Sequence, residues 1–593
     1  MSTKTTLLLL AVAGLLLGFI ALYERKEPRS WQAAGRERYV LLFDRNSVDG
    51  ITIVSNEDKV EFRKRGSQWM MEAPVKDRAN AKAVEEILAR CESLQKEPSV
   101  GSLNADKKQL KAFGVSKPSV RLKLLGQEMP PELLFGRDTA VEGKMYVRLE
   151  GSNTVSVTGT DLRNTIIHKP DEFRDRQLAD FDSTRVSKVS VKTPAGEIDY
   201  ALEAGRWGIV KPLKVRADTA RVIGFLNSVL HTQIVAFLPE NSANLNSYGL
   251  SEPRGIVAFT VTGQKQPALL EIGARDEKTG GVYARFSGRS AVCLLPKESE
   301  NILALQPNDL RDRRLMRVDL DLVDRITLRP AGKAPIVLQR KQEDWLLRAD
   351  NNAPANTAKV LSLVKELQAR KIDAFVTDVA SDLAKYGFDQ PQLRVTFSSY
   401  ASENTAETNA GELPILTLAF GKTDGEIVYA RLEDESFIVS VNKAILSEIS
   451  VNPVEWRALP VFGFRPSEIA SLDVTSFTDG IPRPPVSVVL KENQWLADEG
   501  STPGTLNPVN IQSLVNTLAP LKAMQWTQES GPLVASETLE FTTADGKPHK
   551  VILAAPDQDG TCLGMVEGAP GVFRLAAPDV SALRLPLVEA KGP

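Results

Sequence analysis

The chain has three histidines (His168, His231, His549) and three cysteines (Cys91, Cys293, Cys562), the side chains best suited to hold a transition metal or to act as base or nucleophile. They are scattered, and no two share the short spacing of a ligand pair. That excludes a disulfide scaffold, a zinc-ribbon array and most multi-histidine metal sites. The chain has no G-x-S-x-G elbow, no G-x-x-x-x-G-K-[ST] phosphate loop, no H-E-x-x-H and no G-x-G-x-x-G. No catalytic set, metal set or cofactor is therefore expected. The polar residues that do recur are Tyr-x-Arg pairs: Tyr146/Arg148, Tyr283/Arg285 and Tyr429/Arg431. On a strand, residues two apart share a face. Such pairs suit a row of faces that grips a polymer or a partner. They equally suit salt-bridged strands whose arginine stems cover apolar surface. A second recurring set is Pro170-x-Glu172-Phe-Arg174, Pro307-x-Asp309-Leu-Arg311 and Pro453-x-Glu455-Trp-Arg457. Its acids and arginines read as ion pairs between neighbouring units or as a partner's docking site, and repetition favours the first.

The elements that must position these residues also repeat. Trp69, Trp207, Trp345 and Trp495 are spaced by 138, 138 and 150 residues. Each is followed by a candidate helix cap (Asn80, Asp218, Asn356, Asn507), whose side chain can accept from the free amides of a first turn. Beyond each cap runs an apolar stripe at i, i+3, i+4, i+7. The stripes are Val84/Ile87/Leu88/Cys91, Val222/Phe225/Leu226/Val229, Val360/Leu363/Val364/Leu367 and Ile511/Leu514/Val515/Leu518. This spacing predicts a one-sided helix in each unit. Cys91 fills an apolar slot of its stripe and reads as a small core hydrophobe. Before each Trp, alternation at period two predicts a pair of half-buried antiparallel strands, with the Trp on the last. After the helix, Phe113-Gly114, Tyr248-Gly249 and Tyr386-Gly387 each precede a proline by four residues, which reads as a tight turn into further strands. The fourth unit lacks both this turn and the Pro-x-acid-apolar-Arg element, as a divergent cap would.

The expected fold is α+β, a tandem array of about four similar units, each mainly antiparallel strands with one amphipathic helix. The boundaries are an anchor and linker over 1–39, units over 40–181, 182–318 and 319–464, and a capping unit over 465–593. The polar stretch 398–412 reads as a lengthened hairpin loop of the third unit.

The chain has 593 residues, 42% of them hydrophobic and 25% charged, with a net charge of -2. That composition excludes disorder and offers no cationic excess for nucleic acid. Residues 5–23 run without a charge, and 19 residues at about 1.5 Å each span roughly 28 Å, the depth of a bilayer core. No small-x-small cleavage site follows, so an uncleaved transmembrane anchor in the lipid bilayer is favoured over a signal peptide. Arg25, Lys26 and Arg29 lean weakly toward a cytoplasmic body. A short tail, one apolar segment and a large body form the usual signal-anchor plan, which favours a single-pass inner-membrane protein with a periplasmic body.

The Trp-to-Pro stretch, the capped helix, the Tyr-Gly-x-x-x-Pro turn and the later (Phe/Ile)-Gly and Tyr-x-Arg strands resemble the family called domain of unknown function 4340. The resemblance implies one N-terminal membrane helix and an association with ABC-type transporter components of the gliding-motility kind. The expected function is a non-catalytic, membrane-anchored, extracytoplasmic scaffold or accessory subunit of such a transporter complex. The alternatives are an envelope polysaccharide- or lipid-binding protein and, less favoured, an envelope hydrolase.

Overall fold

The computed structural model describes residues 38–589 except 57, 99–101, 239–244, 290, 349–351, 401–410, 499–500, 502–503, 528–532 and 570. The expected anchor over 5–23 lies outside the described residues, as does most of the linker. Among the described residues no helix is long and apolar enough to cross a membrane. The chain forms two compact bodies, one ending at Arg311 and the other beginning at Asp312. Each contains two nine-stranded sheets whose described pairings are all antiparallel.

The first module shows the plan. Strands β1 (Val48–Ser55), β2 (Asp58–Arg65), β3 (Gln68–Ala73) and the short β4 (Asp77–Arg78) form a meander running out from the middle of the sheet. Helix α1 (Ala81–Glu92) then carries the chain to the opposite edge, where β5 (Ser102–Asn104) lies. Strand β6 (Val120–Gly126) returns to pair with β1, and β7 (Leu133–Asp138), β8 (Lys144–Leu149) and β9 (Thr154–Gly159) run outward to meet β5. The order is β4-β3-β2-β1-β6-β7-β8-β9-β5. Apolar side chains facing one side of the sheet, among them Ile51, Ile53, Phe62 and Leu122, form one core with the stripe of α1. Trp69 therefore sits on the third strand of a meander, not on the second of a strand pair as its flanking alternation suggested.

The same order recurs over 186–295 and 325–442. The fourth sheet, over 469–575, keeps the path but lacks the equivalent of β4, and its ninth strand, Ile481–Pro482, pairs with Ile469–Thr478. Helices α2 (Thr219–Leu230), α3 (Thr357–Ala369) and α4 (Pro508–Leu518) occupy the place of α1. Each expected cap is the N-cap: Asn80 accepts from Lys82 and Ala83, Asp218 from Ala220 and Arg221, Asn356 from Lys359, and Asn507 from Asn510. Three stripes are buried as expected. In α2, Leu230 is buried and Phe225 only half-buried, so that stripe is rotated slightly from its predicted face. Trp69, Trp207 and Trp345 are buried at the same place in their sheets, and Trp495 is half-buried at the fourth. In the third module, Leu393–Tyr400 pairs with Glu412–Asp424, so the polar stretch connects a hairpin.

Candidate functional site

The aromatic-Gly turns and the Tyr-x-Arg strands prove to be parts of one device. Gly114, Gly249 and Gly387 adopt φ of +75°, +65° and +79°, backbone that favours glycine. Each turn sits against a bulge in the second strand after it: register shifts at Phe135/Asp138, Ile272/Arg275 and Phe420/Thr423. The glycine in each bulge leaves no room for a side chain. A Cβ on Gly136, Gly273 or Gly421 would lie 2.4, 2.2 or 2.1 Å from the carbonyl oxygen of Phe113, Tyr248 or Tyr386. The turn's aromatic ring then packs on the tyrosine of the next strand, with centroids 4.4 Å apart for Phe113–Tyr146, 4.8 Å for Tyr248–Tyr283 and 5.0 Å for Tyr386–Tyr429. The Tyr283 hydroxyl donates to Asp276 at 2.7 Å, which pushes its pKa up to about 12, and Tyr429 donates to Asp424 at 3.2 Å.

The arginines of the pairs bond within their own modules. Arg148 donates to the carbonyls of Ser152 (2.8 Å) and Val115 (3.1 Å). Arg431 donates to those of Glu435 and Glu433, both at 3.2 Å. Arg285 differs, donating through Nε to Glu271 at 2.6 Å beside a depression of about 280 Å³.

The Pro-x-acid-apolar-Arg elements at Pro170 and Pro453 join consecutive modules within their bodies, and at the first of them an ion pair between units is part of the joint, though its acid is Asp77 and not Glu172. The acid closes its own turn. Glu172 accepts from the Lys169 amide (3.1 Å) and lies 3.0 Å from His168 Nδ1. Asp309 accepts from the Gln306 amide (2.8 Å), and Glu455 from the Ser450 hydroxyl (2.8 Å). Glu172 and Asp309 reach back three residues to a free amide, as in a capping box, whereas Glu455 also lies 3.4 Å from Lys359 Nζ on α3. The arginine turns the other way. In the first body Arg174, 2% exposed, donates through Nε and Nη2 to Asp77 at 2.9 and 2.7 Å and through Nη1 to Asp171 at 3.1 Å. Its guanidinium lies 3.8 Å above the Phe237 ring of the next module. Arg289 of that module also reaches Asp77, at 3.2 Å, and donates to the Asp175 and Gln177 carbonyls. One fully buried carboxylate thus answers two buried guanidinium groups.

Backbone bonds complete the joint. The cap amide of Asn80 donates to Phe173 at 2.7 Å, and Ala79 bridges Arg174. Three residues on, Gln177 bridges Gln233, just past the end of α2. The second body repeats this: Asn356 donates to Trp456 at 2.7 Å, Ala355 bridges Arg457, Pro460 bridges Lys522, and Arg457 lies 4.4 Å above Trp526. The fourth module retains the geometry without the sequence signature. Asn507 donates to Leu587 at 2.8 Å and Leu506 bridges Val588. Sequence reasoning missed Asp77. Its signal was a charge in a slot that holds Val215 and Ala353 in the next two modules.

The remaining reactive side chains are held apart. All three cysteines are buried and free, and burial pushes Cys91 up to about 12 and Cys293 up to about 11. Among the described residues no three His, Cys, Asp or Glu side chains gather as metal ligands. His231 caps the end of α2, with Nδ1 3.1 Å from the Asn227 carbonyl. His549 is stacked among Phe462, Phe464 and Phe541.

A family model, Domain of unknown function (DUF4340), matches residues 69–206, 207–349 and 345–540. Each match begins on one of the buried tryptophans. No curated protein gives a match.

Proposed function

We propose, because the chain belongs to the domain of unknown function 4340 family and is built from four modules of one topology, that it is a non-catalytic scaffold or accessory subunit of a membrane transporter complex of the ABC type. It is held to the inner membrane through residues 5–23, with its body in the periplasm. One observation carries the reading: the landmarks that recur are engaged either in bracing their own module or in joining it to the next. The tyrosines pack on turns, Arg148 and Arg431 satisfy carbonyls, and the junction arginines clamp neighbours. An active site is normally singular, whereas recurrence suits an extended support. Cross-linking in intact cells followed by capture of the full-length chain tests this. Recovery of transporter subunits is expected, and a monomeric native mass with no membrane partner would overturn it.

A second reading, polysaccharide or lipid binding by the Tyr/Arg strands, draws on Arg285. Its depression is lined also by Leu269, Glu271, Phe286, Ser287 and Arg289. Arg285→Ala should abolish retention on an envelope polysaccharide column if this reading holds.

A further inference from the structure

A second, larger opening lies in the first body. It is a cleft of about 810 Å³ between the start of α1 and the end of α2, floored by the junction segment 175–182. That volume is in the range of small-ligand sites, about 300–1,000 Å³. Its walls are polar and cationic: Arg78, Lys82, Arg176, Arg185 and, beyond the end of α2, His231 and Gln233.

Three carboxylates also line it, and each is occupied by the protein. Asp175 accepts from the Gln177 amide at 2.9 Å and lies 3.4 Å from Arg78. Asp180 lies 3.9 Å from Arg78. Asp182 caps the turn that follows it, accepting from the Thr184 amide at 2.9 Å. The cations are not balanced in the same way. Arg176 donates only to the Ile234 and Val235 carbonyls, through one nitrogen, and Arg185 only to the Thr262 carbonyl. Among the described residues no carboxylate oxygen lies within 4.0 Å of the charged nitrogens of these two or of the exposed Lys82, although, after the Thr184 hydroxyl and amide, Arg185 is near enough to Asp182 to help lower its pKa. The buried Nε of Arg78 meets no acceptor in the protein. Asp180 and Asp182 are themselves exposed at the cleft, but each of the three acids has a donor or cation of the protein beside it, whereas Arg176, Arg185 and Lys82 line the opening with no carboxylate at hydrogen-bond distance. Planar guanidinium forks match the paired oxygens of phosphate, and an ammonium adds a point charge.

We propose that this cleft binds a phosphate-type oxyanion, carried by a soluble phosphate ester or by a phospholipid headgroup. The inference does not depend on the transporter reading. Calorimetric titration of the full-length chain in a non-ionic detergent tests it. The probes are glycerol 3-phosphate, short-chain phosphatidylglycerol below its micelle concentration, acetate and maltose. Saturable binding of one or both phosphate probes is expected, weakening as salt rises, and preference between the two identifies the source. The double variant Lys82→Glu, Arg185→Glu changes two surface side chains and should keep the wild-type melting temperature while weakening phosphate binding at least about tenfold, each lost charge-assisted contact removing part of the affinity. Binding of maltose or acetate as tightly as phosphate would overturn the proposal. So would an absence of phosphate binding, or an unchanged affinity in the folded double variant.

Discussion

Asp77 is the residue on which the first joint turns. It is 1% exposed and accepts from both Arg174 and Arg289. Removing one partner of a buried pair leaves the other charge uncompensated, at a cost of about 3–5 kcal/mol. Asp77→Ala should therefore lower the unfolding free energy of the first body by an amount of that order, read from the fall in its denaturant midpoint at unchanged m-value. Glu172→Ala, on the exposed face of the same joint, should stay within about 0.5 kcal/mol. His549 gives a pH signature. Burial holds its pKa below the usual value of 6.5, helped by Lys547 and opposed by Asp545, and its buried Nε2 finds no acceptor. Below pH 6.5 the unfolded chain takes up a proton that the folded one resists, so stability is lost as pH falls through that value. His549→Phe should flatten this acid-side loss in melting curves recorded from pH 7 to 5. The histidine's sequence context, Lys-Pro-His-Lys, gave no sign of this, because the enclosing rings come from residues 462, 464 and 541.

At the scale of elements, the helices were the most legible part. Their caps and stripes are local, set by spacing within one or two turns, and Asn356→Ala should cost about 1 kcal/mol of stability in the second body. Strand pairing was less legible, since β1 and β6 are separated by the whole α1 excursion and nothing local marks them as neighbours. The (Phe/Ile)-Gly motif and the aromatic-Gly turn were both visible in sequence, but not that one seats the other. That fit depends on a bulge bringing a glycine within contact of a carbonyl. Gly273→Ala would place its Cβ 2.2 Å from the Tyr248 oxygen and should cost about 1–3 kcal/mol, as overpacking does. Gly263→Ala supplies the comparison in open space, where only its φ of +85° is strained. Thermal melts of the two variants distinguish packing from backbone strain.

Across the whole molecule, the repeat was readable because each module carries its own tryptophan, cap and stripe. The grouping into two bodies was not, since no residue type marks the change at Arg311. The second body has its own cores, so a chain beginning at residue 312 should fold on its own, giving a cooperative transition in a thermal melt. The candidate binding pairs were legible as a pattern, but their bonding was not, because Arg148 and Arg431 end on carbonyls whose positions depend on the fold. The joints also carry a rule about insertions. From the residue that bridges one module's helix start to the residue that bridges the next module's helix end is three positions, Arg174 to Gln177 in the first body and Arg457 to Pro460 in the second. Hairpins such as the one between Tyr400 and Glu412 can lengthen without moving either strand, whereas one extra residue at 175 or 176 would put the two bridges out of phase. Length variation in this architecture is therefore confined to its rims and barred from its seams.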